Sequence, residues 1–285
     1  MSQTDFMNGN KPILMGILNV TPDSFSDGGC FFTPDKAVSR GRELAEQGAD
    51  VIDVGGESTR PGSHFVDENE EKRRVLPVIE ELAQKDGLYV SVDTTKPGVA
   101  YEALKLGAKM INDVSNLRDG SELASVAAQW DAELVLMHTR GTPMNMSQLT
   151  NYKDVVKEVS DELMESVSRA LTAGVDRKRI WLDPGIGFAK DAVQSIELLS
   201  RLDELVSLGY PVLVGPSRKS FIGGFDGSEE NDRLGGTAAA VTAAVFKGAR
   251  ALRVHDVRQM HQAMSIAYAI AKERHRTMEE SSENA

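Results

Sequence analysis

The amino-acid sequence predicts an α/β fold, a single-domain (β/α)8 TIM barrel, on three observations. Short runs rich in β-branched residues alternate with helix-like segments along the chain, and there are eight such runs. A length of 285 residues with 41% hydrophobic residues suffices for one large core. No linker or low-complexity segment divides the chain. Because the alternation implies parallel strands joined by crossover helices, eight units favour a closed barrel over an open sheet.

The predicted strands follow one another between residues 13 and 257. In chain order they read ILMGILN, VIDVGG, YVSVD, KMINDVS, ELVLMH, IWLDPGIG, PVLVGPS and ALRVHDV. Helix-like segments lie between them, and three of these end at a glycine, namely Gly48, Gly107 and Gly248. Since glycine readily adopts the left-handed conformation that ends a helix, these positions predict helix ends before the next strand.

The chain ends differ in composition from the interior. The first ten residues and the final segment RTMEESSENA are polar, which is typical of poorly ordered termini. We therefore predict a disordered N-terminus over residues 1–10, a barrel domain over 11–275 and a disordered acidic tail over 276–285.

Composition and charge exclude several classes of function. A formal net charge of -11 opposes binding to nucleic acid or to anionic membranes, because both are bound by basic surfaces. Cys30 is the single cysteine and cannot form an internal disulfide, which fits a reducing compartment. The N-terminus lacks the pattern of a signal peptide, and no run approaches the roughly 18 apolar residues of a membrane span. These features predict a cytoplasmic protein that acts on small molecules.

Each predicted strand ends near a residue whose side chain can bind a ligand or take part in catalysis. The carboxyl ends of barrel strands converge on one mouth, where barrel active sites lie. The stretch MGILNVTPDSFSDGG, which contains the first predicted strand, is the first case. Its apolar run stops at the amide Asn19, which should point into this mouth. The residues so placed are Asn19, Asp53, Glu57, Asp93, Asn112, Asp113, Met137, His138, Asp183, Ser217, Lys219, Arg253 and His255.

A group of basic residues at this mouth would suit a diphosphate. Arg253 and His255 are two apart on one strand and so face the same way. With Arg60 in ESTRPG and Lys219 in GPSRKS they form a cationic cluster in an acidic chain. Alternatively, Arg253 and His255 form a polar rim satisfied by neighbouring backbone. Lys219 could also be a Schiff-base lysine, although it follows the strand instead of lying within it. His138 is interpreted as structural.

A second group offers two carboxylates and an amide on the floor of the mouth, from Asp93, Asn112 and Asp183. A buried carboxylate can accept two parallel hydrogen bonds from a guanidine-like edge, so this group suits a flat heterocycle rich in N–H donors. The alternative is that these interior carboxylates simply pair with Lys219 or Arg253.

The loops at the mouth suggest a metal and an aromatic ligand. Asn19 and Asp27 could ligate Mg²⁺, which takes oxygen ligands and usually keeps water and substrate phosphate oxygens. Phe25, Pro61 and Phe188 are apolar residues in loops otherwise rich in Gly and Ser, and together they could sandwich an aromatic ring. Singly exposed apolar residues are, however, common and need no explanation.

These motifs, taken together, resemble those of bacterial dihydropteroate synthase. The matching segments are MGILNVTPDSFSDGG, DVGGESTRPG, SVDT, INDVSN, DPGIGF, GPSRKSFIG and RVHDV. They occur in the family's order from residue 12 to about 257. The loop HTRGTPMNMSQ departs from the family's common form, but it touches none of the residues assigned below.

The resemblance implies a reaction and its requirements. Members of the family join 7,8-dihydropterin-6-ylmethyl diphosphate to 4-aminobenzoate, which releases diphosphate and gives 7,8-dihydropteroate in folate synthesis. It implies Mg²⁺ as cofactor and a homodimer as the assembled form. A dissociative substitution is favoured because the electron-rich pterin can support positive charge on its methylene carbon. Direct displacement is the alternative mechanism.

The resemblance also implies roles for individual residues. Those that would bind diphosphate are Asn19, Arg60, Arg253 and His255, with Asn19 also holding the metal. Those that would bind the pterin are Asp93, Asn112, Met137, Asp183, Lys219 and Arg253. Those that would form the aminobenzoate pocket are Phe25, Thr59, Pro61, Phe188 and Ser220. Those expected to act in catalysis are Asp27, Arg60, Lys219, Arg253 and His255.

Two other functions share parts of this pattern. A pterin-binding methyltransferase module of the kind that serves corrinoid enzymes resembles this fold and pterin site, but it needs neither Arg60 nor the NVTPDSFSDGG loop. A non-catalytic pterin-binding protein would need neither the diphosphate cluster nor the aminobenzoate residues. Release of diphosphate from the two substrates would separate these functions.

Overall fold

The computed structural model describes residues 11–21, 34–59, 62–63 and 65–283, with backbone alone for residues 274–283. Eight parallel strands form one sheet in the order β6-β5-β4-β3-β2-β1-β8-β7. The strands are β1 Ile13–Asn19, β2 Val51–Gly55, β3 Val90–Asp93, β4 Met110–Asp113, β5 Glu133–Met137, β6 Ile180–Asp183, β7 Leu213–Val214 and β8 Ala251–Val254.

The sheet closes at the seam between β6 and β7. The bridge there is short, because β7 has two residues and joins β6 through the parallel pair Leu182 and Val212. The Leu182 N–H donates to the Pro211 carbonyl at 2.9 Å. The predicted barrel is thus confirmed, with one weakly paired seam.

Helices surround the strands in the expected alternation. They are α1 Pro34–Glu46, α2 Glu68–Ile79 with a π-helical continuation Glu80–Lys85, α3 Pro97–Lys105, α4 Glu122–Gln129, α5 Val155–Thr172, α6 Ala192–Ser200, α7 Leu202–Val206, α8 Ser220–Asp226, α9 Leu234–Phe246 and α10 Val257–Glu283. Gly48, Gly107 and Gly248 all follow helices with φ near +100°, at 105°, 103° and 89°. The predicted helix ends are therefore confirmed.

Side chains alternate between two cores. Leu14, Ile52, Val54 and Leu252 point outward and pack under the helices. The inward positions near the start of the strands form a separate apolar cluster that includes Met15. The full inner cluster is Ile13, Met15, Val51, Met110, Val135, Trp181, Leu213 and Ala251. Because this cluster fills the barrel below, polar side chains on the same inward face are left at the mouth.

The C-terminal helix α10 is the longest helix among the described residues. Its backbone is helical to Glu283, and the disordered tail predicted from residue 276 stays a prediction. The segment KERHRTMEESSE contains neither Gly nor Pro and is rich in helix-forming Glu, Lys and Arg, so propensity favours continuation of the helix. The division of the chain at residues 10 and 275 stays a prediction. Within the described residues, none of the helices combines the length and apolar composition that a membrane span requires.

Candidate active site

Arg253 lies at the centre of the polar floor. Its Nε donates to Asp53 Oδ2 at 2.6 Å, and its Nη2 donates to Asp93 Oδ2 at 2.7 Å. Asn112 Nδ2 donates to the same Asp53 oxygen at 3.0 Å. The alternative that interior carboxylates pair with Arg253 therefore holds for Asp93. The floor is a connected ion-pair network, in which the guanidinium offsets two buried carboxylates.

Asp53 is a site residue to which the sequence reasoning assigned no role. It is fully buried inside β2. The available signal was a lone acid within an apolar strand, two residues before the strand end and so on the same face as Gly55. A carboxylate placed inward on a buried strand must be paired, and its partner here is Arg253.

Two acceptors in this floor have no hydrogen-bond partner among the residues that the structure describes. Asp53 Oδ1 and Asn112 Oδ1 are buried, and no described group donates a hydrogen bond to either atom. Buried polar atoms are almost always hydrogen-bonded in folded proteins. Unpaired acceptors on the floor of an open mouth therefore indicate a ligand that supplies donors.

Asp183 adds a further acceptor at the end of β6. It is 4% exposed, and its Oδ1 accepts from the Gly185 N–H at 2.7 Å. Burial raises the pKa of Asp183 to about 6, while the nearby Lys219 and Arg253 oppose that rise. Burial likewise raises the pKa of Asp93 to about 7, against the pull of Arg253. Both carboxyl groups thus have elevated pKa values for the reason expected of a site closed off from water.

Lys219 and Phe188 lie against each other at the mouth. Lys219 Nζ is 4.0 Å from the centroid of the half-buried Phe188 ring. The preceding Arg218 turns the other way, with φ of 57°, and its guanidinium binds Asp256 at 2.9 Å and 2.5 Å. Arg218 and Lys219 thus have different roles. Arg218 fixes the turn, and Lys219 presents a charge above an aromatic face.

His255 is placed as expected but has a different charge. Its Nδ1 lies 3.0 Å from Ser217 Oγ. Burial, together with the neighbouring Arg253 and Arg218, lowers the pKa of His255 to about 3. A lowered pKa favours the neutral imidazole in the free protein, because a second cation beside Arg253 is unfavourable. A neutral imidazole can still donate an N–H to an anion.

The remaining predicted positions divide into two sets. Met137 ends β5 in register with Asp183, and Asn19 ends β1 in register with Gly55. Thr59 and Phe188 both line a cavity of about 320 Å³ beside the mouth. Ser220 is exposed at the start of α8. The assigned residues Phe25, Asp27, Arg60 and Pro61 lie outside the described residues.

A buried polar cluster packs against the loop that follows β6. His138 is fully buried, with Nε2 2.9 Å from Glu162 and Nδ1 2.9 Å from Lys190 Nζ. Arg140 in turn donates to Glu162 and to Glu158. The structural role predicted for His138 fits this setting. Lys190 was missed, and its signal was its position at the end of DPGIGFAK, directly before the Asp191 helix cap.

A second buried ion cluster supports the segment after β2. Lys96 Nζ lies 2.5 Å from Glu57 and 2.5 Å from Glu71, and Glu71 is 1% exposed. Glu57 also accepts the Val66 N–H at 3.1 Å. Glu57, named from the sequence as a strand-end acid, is therefore engaged in holding its own loop.

Among the described side chains, no three or more His, Cys, Asp or Glu residues are grouped so that they could hold a metal ion alone. Asn19 supplies a single half-buried amide at the end of β1. That donor set fits Mg²⁺ with mostly water and phosphate ligands, and does not fit a metal held in a closed protein cage.

The sequence and the fold match known proteins over nearly the whole chain. The model of the pterin-binding enzyme family matches residues 15–255. A dihydropteroate synthase from Synechocystis sp. is 46% identical over 271 residues, which cover 95% of this chain and 94% of that protein.

Solved structures agree in fold and in sequence. Dihydropteroate synthase from Clostridium difficile, crystallised in the presence of pteroic acid, has a TM-score of 0.86 and 48% identity, over 92% of this chain and 97% of that one. The Xanthomonas albilineans enzyme with 4-aminobenzoic acid has a TM-score of 0.86 and 45% identity, over 93% and 94% of the two chains.

Proposed function

This chain belongs to the dihydropteroate synthase family of pterin-binding enzymes, and we propose that its barrel mouth carries out the reaction for which that family is named. In this reaction the bond between the pterin methylene carbon and diphosphate oxygen breaks. A bond from that carbon to the amine of 4-aminobenzoate forms, and the amine loses a proton. The observation that carries the proposal is a pair of buried acceptors, Asp53 Oδ1 and Asn112 Oδ1, beside Arg253, to which no described group of the protein donates.

The pterin would occupy the polar floor. Its guanidine-like edge can donate to the carboxylate of Asp183, while other ring donors reach the free acceptors of Asp53 and Asn112. Met137 is 4% exposed and adjacent to Asp183 in register, so it can pack on a ring face. The Clostridium difficile relative was crystallised with pteroic acid, which contains such a ring. This supports a pterin as a ligand of this chain.

Catalysis would come mainly from neutralising the leaving group. Arg253 and Lys219 supply positive charge, and neutral His255 supplies an N–H donor. Arg60, also assigned to this role, lies outside the described residues. With the diphosphate charge offset, no protein nucleophile is required. We favour a dissociative substitution in which the arylamine attacks a pterin-methylene cation, and direct displacement is the alternative.

Magnesium would be held through the Asn19 amide oxygen, with diphosphate oxygens and water completing its shell. Asp27 was assigned to the same region and lies outside the described residues. When bound, the metal supplies further charge compensation for the departing diphosphate. The residues of the chain contribute the remainder, because Arg253 and Lys219 stand on the barrel floor and rim independently of the metal.

The aminobenzoate would enter through the cavity beside the mouth. Thr59 and Phe188 line this cavity of about 320 Å³, which is large enough for a small aromatic acid. The Phe188 ring is a stacking surface, held in place under Lys219. Ser220, exposed at the start of α8, lies next to Lys219 in the chain and is assigned to the same pocket. The Xanthomonas albilineans structure with 4-aminobenzoic acid supports 4-aminobenzoate as a ligand of this chain.

The active protein would be a homodimer that acts in the cytoplasm. Its proposed contact surface, here called the apolar helix face, lies on α6, α8, α9 and α10, which pack side by side. Exposed large apolar residues on these helices are Val193, Ile196, Phe225, Leu234, Phe246, Ile266 and Ile270, with exposed fractions between 40% and 66%. Exposed large apolar residues on neighbouring helices are a feature that protein interfaces share. The cytoplasmic location stays a prediction from composition.

We expect the protein, mixed with 7,8-dihydropterin-6-ylmethyl diphosphate, 4-aminobenzoate and Mg²⁺, to release diphosphate and form 7,8-dihydropteroate. Chelation of Mg²⁺ should suppress product formation while the melting curve is unchanged, because the metal is held mainly through substrate. Coupled diphosphate detection and differential scanning fluorimetry measure the two effects. Pterin binding without diphosphate release would contradict the enzyme function. A melting curve that collapses with chelator would indicate a structural metal instead.

We expect the double substitution Phe225→Asp with Ile266→Asp to convert a dimer into monomers, because it places two charges on the apolar helix face of each copy. Light scattering coupled to size-exclusion chromatography measures the mass. Leu171→Asp is the matched control, because Leu171 is also an exposed apolar residue, at 42%, but lies on α5 outside this face. Monomeric wild-type protein, or an unchanged dimer in the double variant, would contradict the proposed interface.

A further inference from the structure

Lys190 is a buried cation to which the proposed function assigns no role. Its side chain is 7% exposed, and its ammonium has three protons and three acceptors. Nζ donates to the Gly185 carbonyl at 3.2 Å, to the Phe188 carbonyl at 2.8 Å and to His138 Nδ1 at 2.9 Å. A fully satisfied ammonium in the interior is a strong constraint on the groups around it, because removing it would leave buried acceptors unpaired.

The segment that Lys190 binds is a tightly turned loop. Gly185, Gly187 and Ala189 all have positive φ, at 65°, 77° and 49°. A side chain at Gly185 would collide with the His138 carbonyl oxygen, so the loop lies directly against the end of β5. The Phe188 N–H also donates to the Gly185 carbonyl at 2.9 Å. Lys190 therefore binds both carbonyls of one tight turn, in which the glycines adopt positive φ readily and only Ala189 is in a conformation unfavourable for its type.

Each end of this turn holds a residue that is proposed to contact a substrate. The Gly185 carbonyl accepts from Lys190, and its N–H donates to Asp183 Oδ1 at 2.7 Å. The Phe188 carbonyl accepts from Lys190, and the Phe188 ring lies 4.0 Å from Lys219 Nζ. One buried ammonium thus holds the backbone that orients the carboxylate of the pterin site and the ring of the aminobenzoate pocket.

His138 connects this ammonium to the next helix. Since the ammonium only donates, Nδ1 must accept, so Nε2 carries the imidazole proton and donates to Glu162. Burial and the charge of Lys190 lower the pKa of His138 to about 4, which keeps the ring in this neutral form. Glu162 is itself held by Arg140. The lysine is thereby anchored to α5 through a neutral imidazole.

We propose that Lys190 is a positioning residue for the reaction, which fixes Asp183 and Phe188 together through the Gly185–Phe188 turn and places a positive charge behind the Asp183 carboxylate. The proposal rests on the proposed function, because it assigns Asp183 to the pterin and Phe188 to the aminobenzoate. Lys190 itself touches neither substrate in this arrangement.

The charges that face Lys190 determine how it acts on Asp183. Asp183 and Glu162 favour its protonated form, whereas Arg140 and Lys219 oppose it, and His138 contributes a neutral acceptor. Burial lowers the pKa of Lys190 to about 7, so it is charged below neutral pH. Its charge in turn opposes the rise in the pKa of Asp183. Without it the Asp183 carboxylate should take up a proton at higher pH.

Two substitutions separate the hydrogen bonds from the charge. Lys190→Met removes both. Lys190→Gln loses the charge but keeps two N–H donors for the turn, and it supplies a folded variant if Lys190→Met does not fold. Lys178→Met is the matched control, because Lys178 is an exposed lysine on the short 3-10 segment Arg177–Arg179. The quantities to measure are kcat, the KM for 4-aminobenzoate and the pH dependence of pterin binding by calorimetry.

We expect Lys190→Met to raise the KM for 4-aminobenzoate roughly tenfold and to lower kcat less, because Phe188 loses its anchored backbone. On acidification, pterin binding is lost as Asp183 takes up a proton, and we call this part of the pH profile the acid limb. In both Lys190 variants the acid limb should move to higher pH by roughly half a unit. Lys190→Gln should show this shift with a smaller change in KM. The control should match the wild type.

A folded Lys190 variant with unchanged KM and an unchanged acid limb overturns the proposal. A lower yield of folded protein, with the KM and the pH dependence of pterin binding unchanged in the folded fraction, would show that Lys190 serves only folding. That result also overturns the proposal. Wild-type protein that binds pterin but releases no diphosphate contradicts the proposed function alone. In that case the position of the acid limb in the Lys190 variants still decides the role of the lysine.

Discussion

Asp183→Asn is expected to abolish measurable pterin binding while the protein stays folded. The asparagine keeps an oxygen that can accept from the Gly185 N–H, so the loop after β6 retains its anchor. It presents an amide where the pterin needs a carboxylate, and so leaves paired N–H donors of the substrate unsatisfied in a buried site. That loss amounts to roughly 2 to 5 kcal/mol of binding free energy. Calorimetric titration with a pterin measures it directly.

A matched substitution far from the mouth tests whether the effect is local. Asp161→Asn removes one carboxylate from the exposed face of α5, where the side chain pairs with Lys157. Exposed pairs of this kind contribute little to stability, so this variant should bind pterin like the wild type. Near-normal pterin affinity in Asp183→Asn would show that the ring is bound elsewhere, and the assignment of the barrel floor would then be wrong.

Arg253→Lys is expected to lower turnover roughly 100-fold and to weaken binding of a pterin without diphosphate far less. Lysine keeps a positive charge but cannot hold Asp53 and Asp93 through two separate nitrogens while also facing the leaving group. Arg253→Ala is a poorer test, because it would leave two buried carboxylates without their cation. Such a loss destabilises a protein by about 3 to 5 kcal/mol.

Steady-state kinetics with both substrates and calorimetry with the bare pterin separate the two effects of Arg253→Lys. Arg201→Lys serves as the control, because Arg201 also joins more than one carboxylate, including Asp154 and Glu197, but lies partly exposed at the C-terminal end of α6. We expect it to leave both measurements unchanged. Equal losses of turnover and of bare-pterin affinity in Arg253→Lys would place its role in ground-state binding, against the charge compensation proposed here.

The barrel and the location of the mouth could be predicted from local pattern. Each apolar run is short, is bounded by turn residues and ends in a polar side chain, and the alternation of strand and helix leaves few possible topologies. The period of two along a strand also placed Arg253 and His255 on one face, with Leu252 and Val254 packed outward. These features depend on residues close together in the chain, which is why the amino-acid sequence alone suffices to predict them.

The pairing and charge of the mouth residues depended on the folded chain. Asp53 and Arg253 are 200 positions apart, and His138 and Lys190 are 52 apart, so no local pattern could show that they meet. The neutral state of His255 follows from burial beside Arg253, and a pKa is set by the surroundings of a group and not by its type.

The apolar helix face was likewise invisible in any single helix. Each contributes one or two exposed apolar side chains, such as Phe225 on α8 and Ile266 on α10, and scattered residues of this kind are ordinary. Only the packing of α6, α8, α9 and α10 against one another brings them onto one side of the barrel. Local composition determines which elements form and what their ends carry. Long-range packing decides which charges are paired, which stay neutral and which surfaces are left apolar, because burial and electrostatic interaction depend on distance in space.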